Sequence, residues 1–393
     1  MSDDGDNSID GLRRRIDDVD QRLLQALAER REVSRLIIDA KARGEAPLRD
    51  PAREERLLLD RIQRGKDVGL DGPYVTKVFH QIIEDSVRLQ QETLQDLAND
   101  ETPGRRVIRV AFLGIEGSFS HLASRAVFAR RASRLVGVSC ASFGAIVQSV
   151  ESGQAEYGML PIENTTSGGI NEVYDLLLHT RLSIVGEHKL PIVHCLLGLP
   201  GASLADVRVI HSHPQPVQQC SGFLAGLDGV RIEYATDTAT SVKTAAELGD
   251  RTHAAIASVE AGRLYGLEPL ASDIANHAAN FTRFLVVARR PIAVDLRIPA
   301  KTSLVISTSQ KSGSLVGALT VFQRHGLNLT KLESRPILGN PWEEMFYVDV
   351  QANVADPEMV AALEELEEHT RLIKVLGTYP SDDLPPTEVD AEG

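Results

Sequence analysis

The sequence is poor in cysteine. Its 393 residues include three cysteines, Cys140, Cys195 and Cys220, which lie far apart and form no CxxC pair. This spacing fits neither a zinc site nor a disulfide framework. We therefore expect a cytoplasmic protein that keeps its thiols reduced and carries no structural metal.

Long apolar runs and common nucleotide-binding motifs are also missing. No run of about 18 apolar residues occurs, and the acidic start MSDDGDNSID lacks the apolar segment of a signal peptide. We therefore expect neither a membrane span nor a secretory leader. The absence of GxGxxG and of GxxxxGKS/T removes the usual signatures of dinucleotide and P-loop sites.

Positive charge is scarce as well. Against 55 Asp and Glu the chain has 42 Lys and Arg, which gives a formal net charge of −13 and argues against nucleic acid as a partner. The content of 42% hydrophobic and 25% charged residues is that of an ordinary globular protein. The length predicts roughly two to four domains.

The first region, residues 1–98, has the pattern of a long helix. Neither Pro nor Gly interrupts Leu12–Arg43, and its apolar residues are spaced alternately by three and four, as in a coiled-coil seam. Such a helix spans about 48 Å, more than a compact monomer covers. We therefore predict a homodimer and leave a higher oligomer open.

Several polar residues interrupt this apolar pattern. Arg30 occupies a seam position, and Lys41 returns to nearly the same face three turns later. A buried cation without a partner costs several kcal/mol, which predicts an anion between them. Arg13 projects away from the face that carries Arg30 and Lys41, and it therefore suits a site on the helix of a partner chain. Ser86 and Gln90 share a face of a later helix, where a solvated surface is the alternative.

Two shorter helices are predicted after the first. Asp50 followed by Pro51 is typical of a helix start, and Arg53 and Glu54 fall in its first turn. Asp71 and Pro73 open a third helix, which runs to about Leu97 and precedes a polar linker at residues 99–106.

The second region, residues 107–290, predicts strands alternating with helices, in two α/β lobes with a cleft between them. Three strands end in loops that place hydroxyls and free N–H groups at the start of a helix, which is a favourable arrangement for anions. One such loop alone is more often a capped turn. The three loops are 115–120, 163–169 and 211–216.

Thr282 and Arg283 stand at the entrance of an apolar strand, Phe284–Ala288. A proton donor beside a fixed cation suits a substrate with carboxylates, although a strand-edge Thr with a surface Arg is the alternative. Together with the three loops, this pair predicts a carboxylate pocket. His213 is either an acid in that pocket or, because Pro214 follows it, a capping or packing residue.

The third region, residues 300–380, has the order βαββαβ of a ferredoxin-like split motif. Residues 381–393 are acidic and contain Pro, and we predict a disordered tail there.

The motifs of the first region resemble the all-helical chorismate mutase family. They are LRRRIDDVDQRLLQALAERREV, Lys41, RDPAREE and IIEDSVRLQ. The resemblance implies that chorismate is bound by eight residues: Arg13 (from the opposite protomer), Arg30, Lys41, Asp50, Arg53, Glu54, Ser86 and Gln90. Lys41 and Gln90 would act at the ether oxygen. A Claisen rearrangement needs one reactive conformer and donors where charge builds, not a nucleophile.

The second region closely resembles prephenate dehydratase. The matching motifs are FLGIEGSFSH, PIENTTSGGINEVYDLL, HSHPQPVQQC and NFTRF, with Ile115 where the family usually has Pro. The resemblance implies Thr282 as proton donor to the leaving hydroxyl and Arg283 as the cation for carboxylate. The other residues that it places around prephenate are Ser118, Ser120, Glu163, Asn164, Thr165, Ser212 and Gln219.

The third region resembles the ACT domain of the same bifunctional family through GSLV and LESRPILGNPWEEMFYVDV. L-phenylalanine would bind at two segments, which are Gly313, Ser314, Leu315 and Val316, and Glu333, Ser334, Arg335 and Pro336. Ser314 stands where the family commonly has Ala. A dimerisation module that binds no ligand is the alternative.

These resemblances imply a multidomain protein: an all-α chorismate mutase module, a two-lobed α/β dehydratase domain and an α+β ferredoxin-like ACT domain. Chorismate would become prephenate and then phenylpyruvate without metal or organic cofactor, under feedback inhibition by L-phenylalanine. A catalytically silent regulatory protein that binds small anions or amino acids is the alternative. A mutase joined to prephenate dehydrogenase would need a dinucleotide motif.

Overall fold

The computed structural model describes residues 8–42, 48–99, 106–129, 132–309, 311–336 and 344–382, with the backbone alone at 39–42 and 106. The chain divides into two compact units, residues 1–102 with 383–393, and residues 103–382. Over the described ranges, no helix has both the length and the apolar character required to cross a membrane.

The first unit consists, where described, of three helices. These are α1 Ile9–Ala42, α2 Pro51–Asp67 and α3 Gly72–Ala98. The Asp50 carboxylate accepts a hydrogen bond from Arg53 N at 3.0 Å, and Asp71 accepts one from Tyr74 N at 2.8 Å. Both are N-caps, which satisfy N–H groups that lack a partner within the helix. The predicted helix starts are therefore confirmed.

The apolar seam of α1 is largely open to solvent within one chain. Ile9 is 70% exposed, Ile16 60% and Val33 55%. The buried apolar residues of this unit come mainly from the other end of α1 and from α2 and α3, among them Ile38, Leu58 and Val75. An exposed apolar row of this length is unusual for a monomer.

The second unit begins with two α/β lobes. The first is built from β1 Arg106–Leu113, α4 Phe119–Phe128, β2 Ala132–Cys140, α5 Phe143–Glu151, β3 Tyr157–Asn164, β4 Gly168–Gly169, α6 Asn171–His179 and β5 Ser183–Pro191. The second contains β6 Cys195–Gly198, β7 Val209–Ser212, α7 Pro214–Gln219, α8 Ser221–Leu224, β8 Arg231–Tyr234, α9 Thr238–Leu248, β9 His253–Ala257, α10 Val259–Tyr265 and β10 Glu268–Ala271. The chain then returns to the first lobe through β11 Phe281–Ala288.

Each lobe has its own sheet. In the first the strand order is β2-β1-β3-β11-β5, and in the second it is β10-β6-β9-β7-β8. β1 runs parallel to β2 and β3, whereas β11 is antiparallel to both β3 and β5. The chain therefore passes between the lobes after β5 and again before β11, and the predicted α/β alternation is confirmed.

The C-terminal part of this unit has the order βαββαβ. Its elements are β12 Ala300–Thr308, α11 Ser314–Arg324, β13 Leu329–Pro336, β14 Glu344–Val350, α12 Pro357–His369 and β15 Thr370–Pro380, with the sheet order β13-β14-β12-β15. One face of this C-terminal sheet packs on α11 and α12. The other face shares a core with the first lobe, in which Val305, Tyr347 and Leu376 join Ile162 and Ile184.

The chain stays hydrogen-bonded slightly beyond β15. Ser381 N donates to Pro299 O at 2.9 Å, and Asp382 Oδ2 accepts from Lys189 N at 3.0 Å. These two residues belonged to the tail predicted at 381–393. The rest of that segment, 383–393, lies outside the described residues.

Candidate active sites

In the helical unit, Arg30 and Ser86 come together. Arg30 Nη1 donates to Ser86 Oγ at 2.5 Å and to Ile82 O at 3.3 Å. Burial lowers the pKa of Arg30 from its usual range, while the charge of Asp85 acts in the opposite direction. Gln90 is partly buried one turn further along α3. A half-buried guanidinium on hydroxyl and carbonyl oxygens could still receive an anionic ligand.

The other predicted chorismate residues are less concentrated within one chain. Glu54 is held by Arg49 at 2.8 Å, a partner that the motifs did not indicate. Asp50 is used as the cap of α2, and Arg53 is exposed. Arg13 is 73% exposed and contacts Asp10 at 3.3 Å. The side chain of Lys41 lies outside the described residues.

The first of the three predicted anion-binding loops, residues 115–120, is stabilised by its own serine. Ser118 Oγ donates to Leu113 O at 2.9 Å and accepts from His121 N at 3.3 Å, so it caps α4. Ser120 is buried in the first turn. Gly114 and Gly117 have φ of 83° and 91°, values that favour glycine, so the loop keeps its turn with Ile115 between them.

Asn164 is the centre of a hydrogen-bond network at the end of β3. Its Nδ2 donates to Thr282 Oγ1 at 3.0 Å and to Asn280 Oδ1 at 2.8 Å. Its Oδ1 accepts from the hydroxyls of Thr166 at 2.7 Å and Ser167 at 2.9 Å, and from both of their backbone N–H groups. Because these donors fix the oxygen, the amide nitrogen must face Thr282.

Gln219 extends this network into the second lobe. Its Nε2 donates to Thr166 Oγ1 at 2.6 Å and to Asn164 Oδ1 at 3.3 Å. Its Oε1 lies 2.8 Å from Nε2 of His194, a residue that is 1% exposed. Burial lowers the pKa of His194, so the ring is neutral and donates from Nε2. Sequence motifs gave no sign of His194, which lies between β5 and β6 on the segment that links the two lobes.

The structure places Arg283 elsewhere than the sequence predicted. Successive strand residues face opposite sides, so Thr282, which faces Asn164, turns Arg283 away from the network. Arg283 is 7% exposed and contacts Glu187 at 2.7 Å and Asp349 at 2.6 Å. Burial alone would lower the pKa of this guanidinium, but Asp349 and its other neighbours raise it. A cation so fully paired with protein carboxylates is a poor clamp for substrate.

Glu163 is also turned toward the C-terminal sheet. Its carboxylate contacts Lys331 Nζ at 2.5 Å and Arg283 Nη1 at 3.2 Å. The reason is again alternation, because Asn164 beside it faces the network. The prediction that Glu163 lines the pocket does not match this placement.

The remaining predicted prephenate residues support loops. Thr165 Oγ1 donates to Ala279 O at 3.1 Å and accepts from Phe281 N at 2.9 Å, which ties its loop to β11. Ser212 is buried and donates to His213 O at 3.1 Å. His213 Nδ1 accepts from Gln215 N at 3.3 Å, so it caps α7 as the capping alternative proposed.

The predicted effector residues lie in two places, at the start of α11 and along β13. Gly313, with φ of 83°, caps α11, and the hydroxyls of Ser314 and Ser309 lie 2.8 Å apart. Leu315 and Val316 continue the first turn of that helix. Along β13, Ser334 and Pro336 are exposed, whereas Glu333 and Arg335 are partly buried. Arg335 contacts Asp175 at 2.9 Å, and Glu333 lies 3.5 Å from Lys331.

Comparisons with known proteins cover both units. A family model described as chorismate mutase type II matches residues 12–91, and one described as prephenate dehydratase matches residues 110–292. The bifunctional chorismate mutase/prephenate dehydratase of Escherichia coli strain K12 is 48% identical over 383 residues, which are 98% of this chain and 99% of that protein.

Two solved structures resemble a large part of the chain. Prephenate dehydratase of Arthrobacter aurescens in complex with L-Phe has 28% identity and a TM-score of 0.64, covering 72% of this chain and 93% of that one. GqqA, described as a novel type of quorum quenching acylases, has 34% identity and a TM-score of 0.64, covering 71% and 99%.

The full-length match confirms the resemblance inferred from the motifs, since identity of this level over 98% of the chain spans both enzymatic modules in one order. This chain belongs to the family of bifunctional chorismate mutase/prephenate dehydratases, enzymes of phenylalanine biosynthesis.

Proposed function

We propose that the two activities of this enzyme occupy separate sites, one in the helical unit and one between the α/β lobes. Chorismate would rearrange to prephenate beside Arg30, and prephenate would lose carbon dioxide and its ring hydroxyl beside Thr282 to give phenylpyruvate. The observation that carries the second assignment is the hydrogen bond from Asn164 Nδ2 to Thr282 Oγ1 at 3.0 Å.

That bond explains how a weakly acidic hydroxyl could serve. Because Thr282 Oγ1 accepts from Asn164, its own proton is free to point toward a leaving hydroxyl in the cleft. The amide also stabilises negative charge that develops on Thr282 Oγ1 as the proton leaves. Asn164 cannot rotate to remove this donor without breaking its bonds to Thr166 and Ser167.

With Arg283 and Glu163 facing the C-terminal sheet, the carboxylates of prephenate need other partners. The N-terminus of α4, capped by Ser118, presents backbone N–H groups in one of the predicted loops. We assign one carboxylate to this loop. Gln219 would orient the substrate from the second lobe, since it already reaches Thr166 across the cleft.

For the mutase step, the proposed site combines Arg30, Ser86 and Gln90 of one chain with Arg13 of another. Support comes from the exposed apolar seam of α1, which suits a second copy of the same helix. A homodimer would place the exposed Arg13 against the partner's site. Lys41 and Gln90 would then stabilise charge on the ether oxygen, and Arg53, Glu54 and Asp50 would complete the binding set.

We also propose that the C-terminal sheet with α11 and α12 is an ACT domain, with domain boundaries at 1–98, 107–290 and 300–380. The βαββαβ order supports this assignment. The relative from Arthrobacter aurescens was solved in complex with L-Phe. Inhibition of this chain by L-phenylalanine, with Gly313 and Glu333 among the contacts, follows as part of the proposal.

The test is an assay of the full chain with chorismate, in which prephenate and phenylpyruvate are measured separately with and without phenylalanine. Both products should form, and phenylalanine should reduce phenylpyruvate. Arg30→Ala should abolish prephenate formation from chorismate while conversion of added prephenate continues. A folded variant that loses both conversions would contradict two separate sites, and a wild type that makes neither product would favour the silent regulatory protein.

A further inference from the structure

Glu163 and Asn164 are adjacent on β3 and face opposite sides of it. Asn164 donates to Thr282 Oγ1, whereas the carboxylate of Glu163 faces the C-terminal sheet. In the pairing of β3 with β11, Thr282 lies opposite Asn164 and Arg283 lies opposite Glu163. Since one peptide bond joins Glu163 to Asn164, a shift of the Glu163 side chain moves the backbone that carries the amide.

Two cations hold the two oxygens of Glu163. Arg283 Nη1 contacts Oε1 at 3.2 Å and comes from the same lobe. Lys331 Nζ contacts Oε2 at 2.5 Å and comes from β13 of the C-terminal sheet. Arg283 is fixed in addition by Glu187 and Asp349, so it has little freedom to move. Lys331 is therefore the adjustable cation of the two.

Lys331 has a second carboxylate within reach. Glu333 Oε2 lies 3.5 Å from its Nζ, two residues further along the same face of β13. The Nζ also lies 5.9 Å from the centre of the Tyr174 ring. If the charge of one of these two carboxylates is neutralised, the ammonium of Lys331 is attracted mainly by the other.

We propose that Lys331 is a positioning residue for the dehydratase site, holding Glu163 so that the adjacent Asn164 amide stays aligned with Thr282, while Glu333 competes for the same ammonium. The inference rests on the proposed function, which places Asn164 and Thr282 in the dehydratase site and Glu333 in the effector site. An amino acid whose ammonium group binds Glu333 and whose carboxylate binds Lys331 would withdraw Lys331 from Glu163 and so misalign Asn164, which has the sign of inhibition. The occupancy of one site thereby changes the geometry of the other.

Lys331→Met in the full chain tests this role, with Lys374→Met as the matched control. Lys374 also joins the C-terminal sheet to the first lobe, through hydrogen bonds to the carbonyl oxygens of Leu177, Leu178 and Thr180. Lys331→Met should lower the dehydratase kcat about tenfold with little change in KM, because misplacing a catalytic group by about 1 Å costs up to about 100-fold. It should also shift the phenylalanine concentration that gives half inhibition.

The controls separate positioning from general docking. Mutase activity should not change in either variant, Lys374→Met should keep the dehydratase kcat within about twofold, and Lys331→Arg should recover most of it. Combining Lys331→Met with Glu163→Gln should cost little more than one change alone, since both break the same pair. Should Lys331→Met not fold, Lys331→Gln replaces it.

An unchanged kcat in Lys331→Met, equal losses in Lys331→Met and Lys374→Met, or additive losses with Glu163→Gln would each overturn the proposal. Thr282→Ala in the same series separates the positioning role of Lys331 from the proposed dehydratase site itself. If Thr282→Ala abolishes turnover and Lys331→Met does not change it, only the positioning role is lost. If Thr282→Ala is fully active, the proposed dehydratase site itself is wrong.

Discussion

The paired strands β3 and β11 present two chemically different faces. Toward the cleft, Asn164 and Thr282 form a network of neutral amide and hydroxyl groups. Toward the C-terminal sheet, Arg283 lies among the carboxylates of Glu163, Glu187 and Asp349. The same two strands thus carry the proposed chemistry on one side and the contacts with the C-terminal sheet on the other.

The two faces differ because one would contact a charged substrate and the other packs against the C-terminal sheet. A dianionic substrate meets no repulsion from an amide and a hydroxyl, and both can donate hydrogen bonds to charge that develops during the reaction. A buried ionic cluster, by contrast, tolerates no missing partner, since each charge left alone costs several kcal/mol. The charged face therefore favours one fixed docking geometry, in which Lys301 supports Glu187 at 2.8 Å and Ser303 bonds Tyr379 at 2.7 Å.

The largest effect is expected from a change on the neutral face, the removal of the Thr282 hydroxyl. Thr282→Ala should lower the dehydratase kcat by about 10²–10⁴, the usual contribution of a positioned proton donor. Stability should change by only about 0.5–1.5 kcal/mol, because one hydrogen bond is lost. The measurement is phenylpyruvate formation from added prephenate, with mutase turnover as the internal control. Thr282→Ser should retain activity, and full activity of the Ala variant would contradict the assignment.

The opposite behaviour is expected on the charged face. Arg283→Met should destabilise the second unit by about 3–5 kcal/mol, since it leaves Asp349 and the fully buried side chain of Glu187 with a missing counter-charge. Urea unfolding followed by circular dichroism measures this loss. Arg231→Met is the matched control, because Arg231 is 70% exposed beside Glu233 and should cost at most about 1 kcal/mol.

The same variant tests the placement of Arg283. If Arg283→Met keeps the stability of the wild type but raises the KM for prephenate, the guanidinium binds substrate after all. The structure predicts the reverse, a loss of stability that exceeds any change in KM.

A contact could be predicted from the sequence when its two residues lie close together in the chain, and not when they lie far apart. The helix starts at Asp50 and Asp71 were predicted correctly, because a cap and the N–H it satisfies lie within three residues. The motifs also pointed to Asn164, Gln219 and Thr282, which the structure brings into one network.

The charged face could not be predicted in the same way. Asp349 and Tyr379 are 66 and 96 positions from Arg283, and neither has a local feature that marks it as a partner. Strand alternation, however, was available from the sequence alone. Adjacent Thr282 and Arg283, like adjacent Glu163 and Asn164, could not both face one pocket if each pair lies in a regular strand. His194 had no signal, since its contact depends on the fold that brings it to Gln219, 25 positions further along the chain.

The smallest expected effect is the pH dependence of the charged face. Burial acts to raise the pKa of Glu163, but Lys331 and Arg283 outweigh it and hold the pKa below its usual value. A carboxyl whose pKa is depressed on folding stabilises the folded state above its unfolded pKa, and this contribution is lost as the pH falls through the folded pKa. The urea midpoint of the second unit should therefore decline in acid, below the ordinary range of a glutamate, and Glu163→Gln should decline less. Lys331 adds no dependence of stability on pH in acid, because its pKa is raised despite its burial. Its contribution to stability is lost only in strong alkali. Parallel acid profiles for the wild type and Glu163→Gln would show that the Lys331–Glu163 pair does not stabilise the packing of the C-terminal sheet on the first lobe, and would leave Arg283 as the main ionic link between β11 and that sheet.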